Sequence, residues 1–298
     1  MFAKLFSPKC PLDEDEWEWL LAGIKWLEEE FPLNDQKVAA GPMILPLAEN
    51  FPALREPSPE YASDIFDRVK QLADMAEWPT EIRMQEAESG HSFASPVFAG
   101  EYRWSDALGT FSLGEDEQGS AIAIITYHPH QLSDPAGFVA TMAHELGHYL
   151  MSTATRCPPG GWELHELATD LTAVWMGFGI FLSNSAKNFS AFSNHDQSGW
   201  QSSMVGYLNE RTLLTAMAIC ASIRSEDVLK SLPYLKPYLA KDLHRIAKYV
   251  QQSDVFEQLS LIDLTDFGVE RPSDQLEQKL RNKVAPATVK LSVTFGPK

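Results

Sequence analysis

The sequence predicts an α+β fold, and three observations lead to it. Apolar residues recur at helical spacing over long segments towards both ends of the chain. Short β-like runs split by glycines fill residues 82 to 127. The last stretch, Val289-Lys-Leu-Ser-Val-Thr-Phe295, alternates as a strand. The architecture expected is a small mixed sheet beside two helices that carry the polar chemistry, with a mainly helical part after residue 200. A chain of 298 residues accommodates a helical N-terminal lobe over 1–80 and a larger domain over 81–298, or one continuous domain.

Residues 13–31 read as an amphipathic helix. Asp13-Glu-Asp-Glu16 lie at its positive end, and Trp17, Leu20, Leu21, Ile24 and Leu27 share one face before Pro32 stops it. Five further prolines punctuate the stretch to residue 59, a connecting region. A second helix is expected from Glu60 to Trp78, with Ile65, Val69, Leu72 and Met75 inward. Such faces ordinarily just bury themselves against a core. The strand candidates that follow are Ser92–Phe98, Glu101–Trp104, Gly109–Leu113 and Ser120–Tyr127. His128 and His130 come next, in His-Pro-His, and read as loop histidines near a cleft rather than a second metal site.

The sharpest signal is Thr141-Met-Ala-His144-Glu145-Leu-Gly-His148-Tyr149, an H-E-x-x-H sequence in an apolar setting. Asp134-Pro135 supplies an N-cap and a first-turn proline, and Phe138, Met142, Leu146 and Leu150 repeat at helical spacing, so the helix should span 135–153. His144 and His148 then stack on one face, with Cβ atoms about 5–6 Å apart. That is the spacing at which two imidazoles reach one zinc ion, whose catalytic sites use three protein ligands and keep a fourth position open. Glu145 stands beside them as a carboxylate able to take a proton from an activated water.

A third ligand has to come from elsewhere. After Cys157-Pro-Pro-Gly-Gly161, the segment Trp162-Glu-Leu-His-Glu-Leu-Ala-Thr-Asp170 also reads as helical and runs into the apolar stretch 171–182, a core helix too short for the roughly 18 residues of a membrane span. Glu163, Glu166 and Asp170 fall on one face of it. A short turn makes the two helices antiparallel neighbours, so that this acidic stripe faces the histidines. Glu166 is the favoured ligand, with Glu163, Asp170 and His165 as rivals. Asp170, one turn on, is placed to accept the free N–H of a ligand histidine. His165 is expected to point away from that face.

Together, His144, Glu145 and His148 on one helix and Glu166 and Asp170 on the next resemble the gluzincin branch of the zincin metallopeptidases, with its H-E-x-x-H and E-x-x-x-D pattern, over about 40 residues. The resemblance implies a zincin-like fold, zinc on two histidines and a glutamate, Glu145 as general base and acid, and hydrolysis of a peptide or protein substrate. In that family a strand just before the active helix edges the cleft, which here is the 120–127 run. Position 154 is alanine, against the metzincin continuation.

Downstream, residues 183–201 are rich in Ser and Asn and read as a loop that lines or covers the cleft, with His195 a candidate donor to a developing oxyanion. The next helix, expected over 203–222, places Tyr207 and Arg211 one turn apart, and Tyr207 is the favoured carbonyl-polarising residue. Further helices are expected at 225–232, 236–252 and 272–283.

Composition narrows the function class. A net charge of −17 argues against a nucleic-acid surface. Cys10, Cys157 and Cys220 form no ligand pair or disulfide framework. With no apolar core of signal-peptide length near the start, a cytoplasmic location is expected. Zinc is the expected cofactor, and oligomeric state is not encoded in these residues. The competing reading is a zinc-containing binding or sensor protein, or a latent protease with one target. Glu145 argues against a purely structural site, which does not need it.

Overall fold

Asp13 caps the first helix, α1 (Glu14–Glu30), by accepting the N–H of Glu16 at 2.9 Å, and three acidic residues complement the dipole of the first turn. The computed structural model describes residues 9–32, 43–85, 109–116, 118–193 and 207–265. The strand candidates at 92–98 and 101–104, the helix at 272–283, the terminal strand and His195 lie outside them.

Helix α2 (Pro59–Leu72) starts at a Ser58 cap with proline in its first turn. It stops at Leu72 rather than Trp78, because Asp74 turns the chain at φ 59°. Met75 is still buried, but from the turn. Three strands follow: β1 (Thr80–Met84), β2 (Gly109–Glu115) and β3 (Ala121–Tyr127). Their order is β1-β3-β2, with β1 parallel and β2 antiparallel to β3. The mixed sheet agrees with expectation, whereas the 120–127 run is its centre and not its edge. Flanked on both sides by strands, β3 buries five of its seven residues.

Helix α3 (Pro135–Ser152) lies against the sheet, its Tyr149 hydroxyl donating to the Pro79 carbonyl at 3.1 Å. A 3-10 turn, Gly161–Leu164, leads into α4 (His165–Trp175). The apolar stretch 171–182 is not one helix: the chain turns at Met176-Gly177, and α5 begins at Gly179. Helix α5 runs to Ser193, so the first half of the expected 183–201 loop is helical. It packs between α3 and α6 (Glu210–Ile223) and buries Ile180, Phe181, Leu182 and Ala186. A 3-10 segment (Val228–Tyr234), α7 (Pro237–Gln252) and α8 (Val255–Leu261) complete the described chain. Among the described residues no helix is long and apolar enough to cross a membrane.

The hydrophobic core runs unbroken from α1 and α2 into α3, α4 and α6. Helix α1 also grips the loop between α3 and α4. The indoles of Trp19 and Trp26 donate to the carbonyls of Pro159 and Arg156, at 3.0 and 3.2 Å. Glu30 accepts from the Thr155 backbone N–H at 2.6 Å and from Arg156 Nε at 2.7 Å. Since hydrogen bonds to charged groups each contribute roughly 1.5–3 kcal/mol, Glu30→Ala should lower unfolding stability by about 2 kcal/mol. Chemical denaturation would show it as a shift in midpoint at constant slope.

Candidate metal centre

Helix α3 presents His144, Glu145 and His148, and α4 crosses it with Glu166, Thr169 and Asp170 facing back. The close approach depends on Gly147, where a Cβ would lie 2.9 Å from the Thr169 carbonyl and 3.1 Å from Thr169 Cγ2. Gly147→Ala must push the helices apart. We expect a loss of roughly 1–3 kcal/mol, the usual cost of overpacking, with weaker metal binding because Thr169 holds His148. Thermal unfolding with and without zinc would read both effects.

Three donor atoms converge. His144 Nε2 and His148 Nε2 are 3.1 Å apart, and Glu166 Oε2 lies 3.2 Å from the first and 3.5 Å from the second. Ligands held tetrahedrally at zinc–ligand distances of 2.0–2.1 Å stand roughly 3.3 Å from one another. The triangle therefore has the dimensions of a zinc face.

The hydrogen-bond network argues the same. His144 Nδ1 faces Asp170 Oδ1 at 2.9 Å, so its proton belongs there and a neutral ring turns the Nε2 lone pair inward. Thr169 Oγ1 donates its one proton to the His165 carbonyl at 2.8 Å and so accepts from His148 Nδ1 at 3.2 Å, which leaves a lone pair on His148 Nε2 as well. Both Glu166 oxygens are buried without a hydrogen bond of acceptable geometry. Two lone pairs and a carboxylate aimed at one point could hold a cation.

A proton is the alternative occupant. Burial works against a charged His144, but the hydrogen bond to Asp170 and the facing Glu166 carboxylate outweigh it and raise its pKa well above the ordinary range. Burial lowers the pKa of His148 despite Glu166. Glu166 would be raised by burial, yet the facing imidazoles hold it well below the usual carboxylate range. A divalent ion would displace the His144 proton, as binding to such sites ordinarily does.

Glu145 is 5 % exposed and burial pushes its carboxyl up to about 8. It sits against the start of β2, where a Cβ at Gly109 would lie 2.8 Å from Glu145 Oε1. Phe111 of the same strand stacks on His148, ring centroids 6.2 Å apart. The strand beside the candidate site is thus β2, correcting the expectation for 120–127.

The rivals for third ligand separate. Glu163 is exposed and outside the cluster. Asp170 touches His144 through Nδ1, on the far side of the ring from the donors. His165 does not point away: its Nε2 lies 2.9 Å from Glu166 Oε1, on the outer side of the carboxylate. Tyr207 precedes α6 rather than lying within it, and its ring is 5.1 Å from that of His144. Burial, with Glu166, Glu145 and Asp170 nearby, raises its pKa far above the ordinary range, so the hydroxyl keeps its proton. Arg211 is exposed in the first turn of α6. His128 and His130 touch each other in a 3-10 turn, and among the described residues no third metal-binding side chain joins them. Thr169 and the glycines at 109 and 147 went unread, although Thr169 lies three residues after Glu166 and so shares its face.

No protein-family model, curated protein or solved structure matches the chain. What the site can do follows from its own residues.

Proposed function

We propose that the chain is a zinc-dependent peptidase of zincin-like architecture, with His144, His148 and Glu166 as ligands, Asp170 orienting His144, and Glu145 as general base and acid. The observation that carries this reading is the triangle of lone-pair donors at 3.1, 3.2 and 3.5 Å with a carboxylate on the adjacent residue. A bound zinc supplies Lewis acidity and lowers the pKa of a coordinated water to about 7. Its positive charge also opposes the burial that keeps Glu145 protonated. Glu145 then accepts a proton from the attacking water and passes it to the leaving amine. Tyr207 donates its hydroxyl proton as a hydrogen bond to the oxygen on which charge develops. Burial of His144 and Glu145 excludes bulk water and strengthens each of these interactions.

One observation favours a non-catalytic zinc protein instead: His165 stands beside Glu166, and four protein donors are the mark of a closed structural site. The three-donor group has its atoms within 4.8 Å of one another and does not include His165, which favours the open site. Incubating zinc-loaded protein with a broad peptide library and reading the products by mass separates the two readings. Cleavage supports the peptidase, and stoichiometric zinc without cleavage supports the sensor or latent form.

A further inference from the structure

Asp170 does more than orient a histidine. Its Oδ1 faces His144 Nδ1 at 2.9 Å, and its Oδ2 accepts the backbone N–H of Leu208 at 2.7 Å. The carboxylate is buried, so neither bond exchanges readily with water, and the second has the short length of a charge-assisted bond. Leu208 directly follows Tyr207 and precedes Asn209, which caps α6 through its side chain. On its other side Asn209 donates to Glu16 Oε1 of α1 at 2.9 Å, at the surface. The bond from Asp170 is thus a buried tie that draws the 207–209 segment inward, to where the Tyr207 ring stands 5.1 Å from His144.

We infer that Asp170 is a positioning residue for Tyr207, and that one buried carboxylate sets both the ligand histidine and the hydroxyl donor. What Tyr207 then does rests on the peptidase reading, whereas the coupling does not. Both carboxylate oxygens are in use, and an amide has only one acceptor oxygen. Asp170→Asn must give up either His144 or Leu208. The coupling is also reciprocal. Fixing His144 with zinc fixes Asp170 and tightens the Leu208 N–H, and removing that N–H loosens zinc by the same factor.

Amide hydrogen exchange tests this without any substrate. Zinc should slow exchange of the Leu208 amide in the native sequence. Asp170→Asn should speed it by roughly 10- to 100-fold, the equivalent of one bond to a charged group, while the amides of Leu213–Ile219 in α6 stay unchanged. Unaltered exchange at Leu208 with unaltered zinc affinity overturns the proposal, since the amide must release one of its two partners. So does acceleration that spreads through α6, which would make Asp170 a staple of the helix and not of Tyr207. Leu208→Pro decides independently if Asp170→Asn fails to fold: it removes the donor and keeps the carboxylate. Its zinc affinity should fall by the factor by which zinc slows Leu208 exchange, and unchanged affinity refutes the coupling. If peptides are cleaved, kcat at saturating zinc should fall at least as far in Asp170→Asn as in Tyr207→Phe, and adding Tyr207→Phe to Asp170→Asn should cost nothing further; multiplying losses contradict the assignment. A protein that cleaves nothing would sink the peptidase reading and leave the exchange result to stand or fall by itself.

Discussion

Glu145→Gln should abolish peptide cleavage while leaving one zinc per chain. The side chain keeps its length and shape, and none of the three converging donor atoms belongs to it. What the amide loses is the ability to take a proton. General acid–base catalysis contributes typically 10²- to 10⁴-fold, and Glu145 is assigned both halves of the transfer, so a loss of about 10³-fold or more is expected. Folding should not suffer. Burial already holds the carboxyl up at about 8, so the metal-free protein carries it neutral at pH 7, as the amide always is. Zinc content by atomic spectroscopy and initial cleavage rates on one preparation would check the pair of outcomes. Full activity in the variant would remove Glu145 from the mechanism.

Zinc should raise the unfolding midpoint of the native sequence, and Glu166→Gln should cancel that rise. A ligand that binds only the folded state adds about 2.7 kcal/mol at a hundredfold excess over its Kd. Glu166 is the only anionic member of the donor triangle, and its charge is what makes three neutral-to-anionic groups attractive to a divalent ion. An outer partner of a metal ligand is worth about 10- to 100-fold in affinity, and a ligand itself should be worth more. The variant also leaves the charged His144 with Asp170 as its remaining anionic partner, so the metal-free protein should lose stability as well. Scanning calorimetry with and without zinc would separate the effects. A zinc-dependent rise that survives in Glu166→Gln would move the third ligand elsewhere, with His165 the nearest replacement.

The parts legible in the sequence are those fixed by local chemistry. Helices α1 and α3 run over Glu14–Glu30 and Pro135–Ser152, against expectations of 13–31 and 135–153, because Asp13 and Asp134-Pro135 are cap signals with a mechanism. The convergence of His144, His148 and Glu166 was legible because two helical periods and a short turn determine it. His165 was misread for a geometric reason. Residues 161–164 form a 3-10 turn and α4 starts only at His165, so a helical frame begun at Trp162 rotates it to the wrong side. Residues 183–193 read as loop from their Ser and Asn content but are helical, and burial of Ser183, Ser185 and Ala186 between α3 and α6 overrides that propensity. The sheet order, and with it the strand beside Glu145, depends on pairing between segments far apart in sequence, which no periodicity reports.

The donors His144, His148 and Glu166, with Asp170 behind them, fall within one stretch of chain, and α1, which grips the loop between their helices, precedes them. Tyr207 comes later. A ribosome adding about 5–20 residues per second makes the 37 positions from Asp170 to Tyr207 (207 − 170) in roughly 2–7 s. During that interval the emerging chain holds all three atoms of the donor triangle but lacks the tyrosine. Under the peptidase reading, metal capture and full competence would therefore be separate events in the life of each molecule, and a chain that acquired an ion early would not yet be armed against its neighbours.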